Sequence, residues 1–168
     1  PYRKEAWEFI LAGGGVFSHL DFSFTCEHPD GTAKLTGEPG GGGPEIREQL
    51  HVLKQFIERF DFVRMKPADE IVQGGRITAA QQEESLDVKA ATRVLAQRGK
   101  VYAIFVGGGT QAELLLEVPA GTYKAQSNNT KTAAIEKDEL ISHSGGNKRL
   151  ASSAYEDDIA LGLTTANR

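Results

Sequence analysis

This sequence has little of what redox or metal chemistry requires. Its 168 residues include one cysteine, one methionine, one tryptophan and four histidines. A lone cysteine, Cys26, excludes an internal disulfide and any CxxC-type metal site. The histidines, His19, His28, His51 and His143, show neither HxH nor HExxH spacing, so no metal and no other cofactor is expected. No basic block stands out, and 23 acidic residues face 19 basic ones, which argues against nucleic acid or an anionic membrane as the main partner. No apolar run approaches the roughly 20 residues of a membrane span. Neither GxxxxGK[ST] nor GxSxG occurs, so there is no P-loop and no nucleophile elbow. The chain opens PYRKEAWEF, without an initiator methionine or a leader peptide. Because those residues already carry a helical pattern, the chain reads as the tail of something longer.

Strand and turn chemistry is plentiful. Residues 94–96, 101–106 and 113–118 are rich in β-branched, aromatic and leucine side chains. Gly99 suits a tight hairpin, Gly107-Gly108-Gly109 interrupts the run, and Pro119-Ala120-Gly121 turns it into 122–126. An antiparallel meander is expected here. Asn128-Asn129-Thr130-Lys131 reads as a second hairpin turn; it also matches a glycosylation acceptor, but the turn role explains it. Residues 140–143 and 158–163 add strands, and together these segments predict a small β-sandwich from about Glu70 onward.

The first part of the chain is different. Ala6, Trp7, Ile10 and Leu11 give an amphipathic helix over residues 2–11, ended by Gly13-Gly14-Gly15. Trp7 is expected in the core. Residues 15–19 read as a short buried strand. Pro44 suits a first helical position, and Ile46, Leu50, Leu53, Ile57 and Phe60 form an apolar stripe that must pack against something. Gly40 to Gly43 before this helix reads as linker and helix start. Ile71-Val72 reads as a brief strand and 73–89 as a polar surface loop. The fold class is thus α+β: a short helical and loop segment over 1–66, then an antiparallel β-sandwich over 67–168, with the boundary near Pro67.

Chemistry-bearing residues gather in the loop of residues 19–32, where His19, Asp21, Glu27, His28 and Asp30 mix with Phe22 and Phe24. Acid/base catalysis needs two carboxylates in different environments, and this loop holds the one such cluster among aromatics. Glu156, Asp157 and Asp158 read more simply as a solvated turn. No self-contained catalytic site is expected, and no catalytic residue is assigned.

Three stretches, RKEAWEFILAGGGVFSHLDFSFTCEHPDGT, GGGPEIREQLHVLKQFIERFDFVRMKP and the closing YEDDIALGL, resemble bacterial glycoside hydrolases. Those proteins combine a (β/α)8 barrel with a C-terminal β-sandwich sometimes labelled a collagen-binding domain. The resemblance implies that residues 3–11 are a late barrel helix, 14–18 the last barrel strand and 44–60 the final barrel helix. The loop after that strand would sit where barrel enzymes place their sites. It implies carbohydrate hydrolysis by carboxylates lying mostly upstream, with His19, Asp21, Glu27 and His28 as substrate contacts. It also implies a polysaccharide or glycan substrate, a secreted or periplasmic location, and a missing barrel portion or self-association covering the 46–60 stripe. The competing expectations are a sandwich that binds polysaccharide or matrix protein, and one that only buttresses the barrel. A sugar-binding face would need exposed, coplanar rings, and the sandwich offers Tyr102, Phe105, Tyr123 and Tyr155.

Overall fold

A computed structural model describes residues 2–18, 20–34, 41–79 and 86–166. The chain begins with helix α1 (Tyr2–Leu11) and helix α2 (Pro44–Ile57). There follow strands β1 (Lys66–Pro67) and β2 (Val72–Thr78), the single helical turn α3 (Val88–Ala91), then β3 (Thr92–Gln97), β4 (Val101–Gly107) and β5 (Gln111–Val118). Strands β6 (Gly121–Asn128), β7 (Ile135–His143), β8 (Gly146–Ala151) and β9 (Asp158–Thr165) complete it. The strands form two antiparallel sheets, β1-β3-β4-β9-β6-β7 and β2-β5-β8. The architecture is α+β with a β-sandwich, as expected.

The two sheets enclose one apolar core, with Tyr102, Ile104, Val106, Leu114, Leu116, Tyr123, Ile159, Leu161 and Leu163 all nearly or fully buried. Strand β5 alternates buried and open positions, because its outer face meets solvent. Strand β4 is buried along its whole length. Its inner residues enter the sandwich core, while Val101, Ala103 and Phe105 face a second core built by the two helices. Coverage on both faces explains why β4 reads as an unbroken apolar run rather than an alternating one.

The second core joins Ala6, Trp7 and Leu11 of α1 to Val52, Leu53, Phe56 and Ile57 of α2 and to the outer face of the large sheet. Trp7 stacks on Phe105 at 5.7 Å between centroids and 17° between planes, and lies 5.1 Å from Phe56. Burying a side chain of this size contributes roughly 1.5–3 kcal/mol. Trp7 is therefore core, as its helical spacing indicates. A buried ion pair reinforces the docking. Both terminal nitrogens of Arg3 donate to Asp158 at 2.6 Å, and Nη1 also donates to Thr130 Oγ1 at 2.8 Å. The Thr130 hydroxyl in turn donates to Asp158. Asp158 is not part of a solvated turn; it is 3% exposed and clamps α1 to the start of β9.

Several expectations change. The meander from 93 to 126 forms only in its first hairpin: β3 pairs with β4 through the Gly99 turn as expected, but β9 takes the other edge of β4 and β5 joins the other sheet. Gly108 and Gly109, at φ +87° and +81°, let the chain leave one sheet for the other at this point. Residues 15–18 are not a strand; Val16 is 80% exposed, because Gly13 at φ +91° directs the chain away from the sheets. Residues 72–78 are strand rather than surface loop. They look polar because β2 is an edge strand with one open face. Residues 80–85 of that expected loop, and Gly40, lie outside the described residues. The buried stripe of α2 runs along 52, 53, 56 and 57, with Ile46 and Leu50 half-buried, because the C-terminal half of the helix meets the sheet. Asn128 is 4% exposed and its amide nitrogen donates to Ala160 O, which removes it as a glycosylation acceptor. No helix among the described residues is long and apolar enough to cross a membrane.

Candidate functional site

The loop of residues 20–34 is organised by Asp21. One carboxylate oxygen accepts from Ser23 N at 3.0 Å, Ser23 Oγ at 2.5 Å and Gly43 N at 3.1 Å. The other accepts from Arg47 Nη1 at 2.6 Å. Gly43 is the N-cap residue of α2, so the anion that this helix start cradles is the chain's own Asp21. Gly42 sits at φ +119°, and a Cβ there would collide with the Asp21 carboxylate. The glycine run before α2 is thus required by close approach as well as by chain direction. Donation by the Ser23 hydroxyl, joined by the Ser23 amide, Arg47 and Gly43, holds the Asp21 carboxyl well below the usual carboxylate range. Asp21 has no proton to give and few lone pairs left for a ligand; its work is to position the loop.

Arg47 extends the same arrangement. It donates to Ser23 Oγ at 3.0 Å and to Gly31 O at 2.8 Å, and its guanidinium lies 4.9 Å from the centre of the Phe24 ring. The outer part of the loop is a tight turn. Thr25 and His28 exchange backbone hydrogen bonds, and Asp30 accepts from the amide and hydroxyl of Thr32 at 3.2 and 2.7 Å. The Thr32 hydroxyl lowers the Asp30 carboxyl pKa below its ordinary value. His28 Nδ1 lies 3.2 Å from the same hydroxyl.

Of the four residues singled out from sequence, Asp21 is committed to the loop, and Glu27 and His28 lie on its exposed side. His19 lies outside the described residues. Ser23, Arg47 and Gly42 were missed. An arginine one turn into a helix that follows an acidic loop was the available signal. No group of three or more His, Cys, Asp or Glu among the described residues can hold a metal ion.

The helical layer also exposes aromatic and apolar surface. Phe9, Phe22, Phe24 and Phe62 are between 39% and 51% exposed. A cavity of about 600 Å³ opens between the end of α1, α2 and the Phe62–Arg64 turn, lined by Ile10, Phe17, Leu50, Leu53 and Val63 among others. The sandwich presents the opposite picture. Tyr102, Phe105, Tyr123 and Tyr155 are all buried, so they form no platform for a sugar.

No protein-family model and no curated protein matches this sequence. Solved structures do share its fold. One described as a glycoside hydrolase matches 99% of this chain and 37% of its own, with a TM-score of 0.57 and 16% sequence identity. A family 5 glycoside hydrolase from Bacteroides vulgatus matches 70% of this chain and 24% of its own, at a TM-score of 0.47 and 12% identity, too loose a likeness to argue from. At such identities the likeness is one of fold. The chain spans little more than a third of the first of these structures.

Proposed function

We propose that this chain is the C-terminal portion of a glycoside-hydrolase-like protein, in which residues 1–66 are the end of a catalytic barrel and 67–168 a sandwich that buttresses it. The observation that carries this reading is the reach of the fold likeness. It runs through the helical layer and the sandwich together, 99% of this chain, while leaving almost two thirds of the glycoside hydrolase unmatched. The docking of α1 and α2 on the sandwich, through Trp7, Phe56 and the Arg3–Asp158 pair, supports a structural role for the sandwich. In this reading the catalytic carboxylates lie upstream, and Asp21 is too fully hydrogen-bonded to be either of them. Glu27 and His28, on a loop stiffened by Asp21, form one wall of a cleft for a polysaccharide or glycan, and His19 is a further substrate contact. The rest of the barrel covers the apolar cavity beside α2, and the parent protein works outside the cytoplasm, secreted or periplasmic.

The test is hydrolysis of a panel of polysaccharides by the native protein, beside the 168-residue chain alone. The native protein is expected to release reducing ends, and the chain alone to release none. Release by the chain alone would place a complete catalytic site within it and overturn the reading.

A further inference from the structure

Strand β7 is an open edge. It ends the large sheet, pairs with β6 on one side and meets no other strand among the described residues. Such an edge leaves a row of backbone donors and acceptors able to pair with another chain, and folded proteins commonly blunt it with a bulge, a proline or free charge. Over residues 137–143, β7 has none of these. Its pairing with β6 runs without a break from Lys137 opposite Ser127 to His143 opposite Gly121, and the one register shift lies beyond it, at Ser127/Asn128. No proline falls in the stretch. Its charges are already held within the chain. Lys137 donates to Ala151 O at 2.9 Å and pairs with Glu139 at 2.8 Å. Asp138 pairs with Lys124 at 3.1 Å and accepts from Gln126 at 2.8 Å.

The middle of this regular stretch is Leu140. Asp138, Leu140 and Ser142 share one face of the sheet with their partners Gln126, Lys124 and Thr122, while Ile141 packs against the sandwich core from the other face. Leu140 is 71% exposed, the one apolar side chain among these six. A single exposed leucine is ordinary on any surface. Its place at the centre of an unblunted edge is not. Two such edges join antiparallel, each face keeping its own side, about a two-fold axis perpendicular to the sheet, and that axis must pass through a residue of β7. Centring it on Asp138 or Glu139 sets a carboxylate directly against its own copy, which is repulsive. Centring it on Leu140 sets leucine against leucine, Asp138 against Ser142, Glu139 against Ile141 and Lys137 against His143, and it uses the whole regular stretch.

We propose that β7 pairs with β7 of a second copy of this chain, antiparallel and about a two-fold axis at Leu140, so that two large sheets become one. The contact covers Leu140 on both copies and gives the open edge its backbone partners. A ladder of this length is a small interface, so the association is expected at roughly 10–100 µM. The pairing stands whether or not the chain belongs to a hydrolase.

The test is sedimentation velocity of the chain over a range of concentration, with a disulfide cross-link to read the register. The expected result is a monomer–dimer equilibrium that Leu140→Lys weakens by roughly tenfold or more, because two ammonium groups then oppose each other. Phe62→Lys, on the exposed surface of the helical layer, should leave it unchanged. Cys26 is the one cysteine, so Cys26→Ser gives a clean background. There Leu140→Cys should cross-link two copies, with oxidised glutathione taking up the two electrons and two protons of the thiols. Directly opposed Cα atoms lie about 4.5–5.5 Å apart, within disulfide reach. Ser142→Cys, two residues from the axis, would have its own copy roughly 13 Å away and should stay reduced. If Leu140→Lys fails to fold, the cross-link decides. A chain that stays monomeric at about 1 mM overturns the proposal. So does a dimer that survives Leu140→Lys, or cross-linking by Ser142→Cys as readily as by Leu140→Cys.

Discussion

The two halves of this molecule solve the burial problem differently. The sandwich encloses its own core between two sheets, with Tyr102, Tyr123 and Tyr155 inside it, and its fourth ring, Phe105, is buried under the helices. The helical layer borrows the outer face of the large sheet, buries Trp7, Phe56 and Ile57 there, leaves Phe9, Phe22, Phe24 and Phe62 substantially exposed, and opens an apolar cavity lined in part by Phe62. The sandwich turns none of its aromatic rings to solvent, whereas the helical layer leaves four of its phenylalanines partly exposed. A scaffold that carries sites on its loops would divide its labour in the same way.

The sharpest way to break that comparison is to empty each core in turn. Trp7→Ala should cost about 3–5 kcal/mol in docking of the helical layer. Hydrogen exchange should then show α1 and α2 unprotected while the amides of β4, β6 and β9 stay protected. Leu114→Ala, in the sandwich core, should cost about 2–5 kcal/mol and lower protection in both regions together. If Trp7→Ala unfolds the sandwich as well, the two regions are one cooperative unit and the contrast fails.

Next in size is the buried pair that joins them. Arg3→Leu leaves Asp158 buried without its partner and should cost about 3–5 kcal/mol in a denaturant titration. The double variant Arg3→Leu/Asp158→Leu should recover most of that loss, because the penalty lies in the unpaired charge.

Within the helical layer, Asp21→Asn should destabilise by about 1–3 kcal/mol, since it gives up charge-assisted bonds to Ser23, Gly43 and Arg47. The pH dependence gives an independent reading. The folded pKa of Asp21 lies below its unfolded value of about 4, so between the two the unfolded chain binds more protons. The contribution of Asp21 is complete above about pH 4 and fades as pH falls toward the folded pKa. Asp21→Asn should flatten that part of the acid titration.

In the sandwich the corresponding group titrates at the other end of the scale. Burial, with the nearby Asp158 charge, pushes the Tyr155 hydroxyl up to about 12, while it donates to Gly108 O at 2.8 Å. Its stabilisation is complete below the unfolded value of about 10 and is lost as pH rises toward 12. Tyr155→Phe should cost about 0.5–1.5 kcal/mol at neutral pH and remove that alkaline slope. The smallest effect belongs to the open side of the candidate loop, where His28→Ala should stay within about 0.5 kcal/mol in thermal unfolding.

The local features of this fold were legible in the sequence, and its long-range ones were not. Helix α1 runs over Tyr2–Leu11 as its apolar spacing indicates, and the turn after Asn128 joins β6 to β7 as an antiparallel hairpin, with a register shift at Ser127/Asn128. The second partner of β4 was illegible, because β9 arrives some fifty residues later and takes the edge that β5 would otherwise occupy. Strand β2 hid behind its polar composition, since an edge strand with an open face needs few apolar residues. At the candidate site the acidic loop and the glycine run were visible separately. What joins them is an arginine, Arg47, on a helix 26 positions from Asp21, and its place one turn into that helix after an acidic loop was the one signal of it. No local pattern records the pairing of Arg3 with Asp158, 155 positions apart, although both lie in stretches that carry the glycoside hydrolase resemblance.

The central claim, that this chain is one part of a larger glycoside-hydrolase-like protein, is tested most directly by the intact mass and N-terminal sequence of the protein as its source cell makes it. The account predicts a mass well above 18.2 kDa and residues preceding Pro1. A native mass matching this chain would contradict it, and the aromatic face of the helical layer would then have to be covered by another molecule.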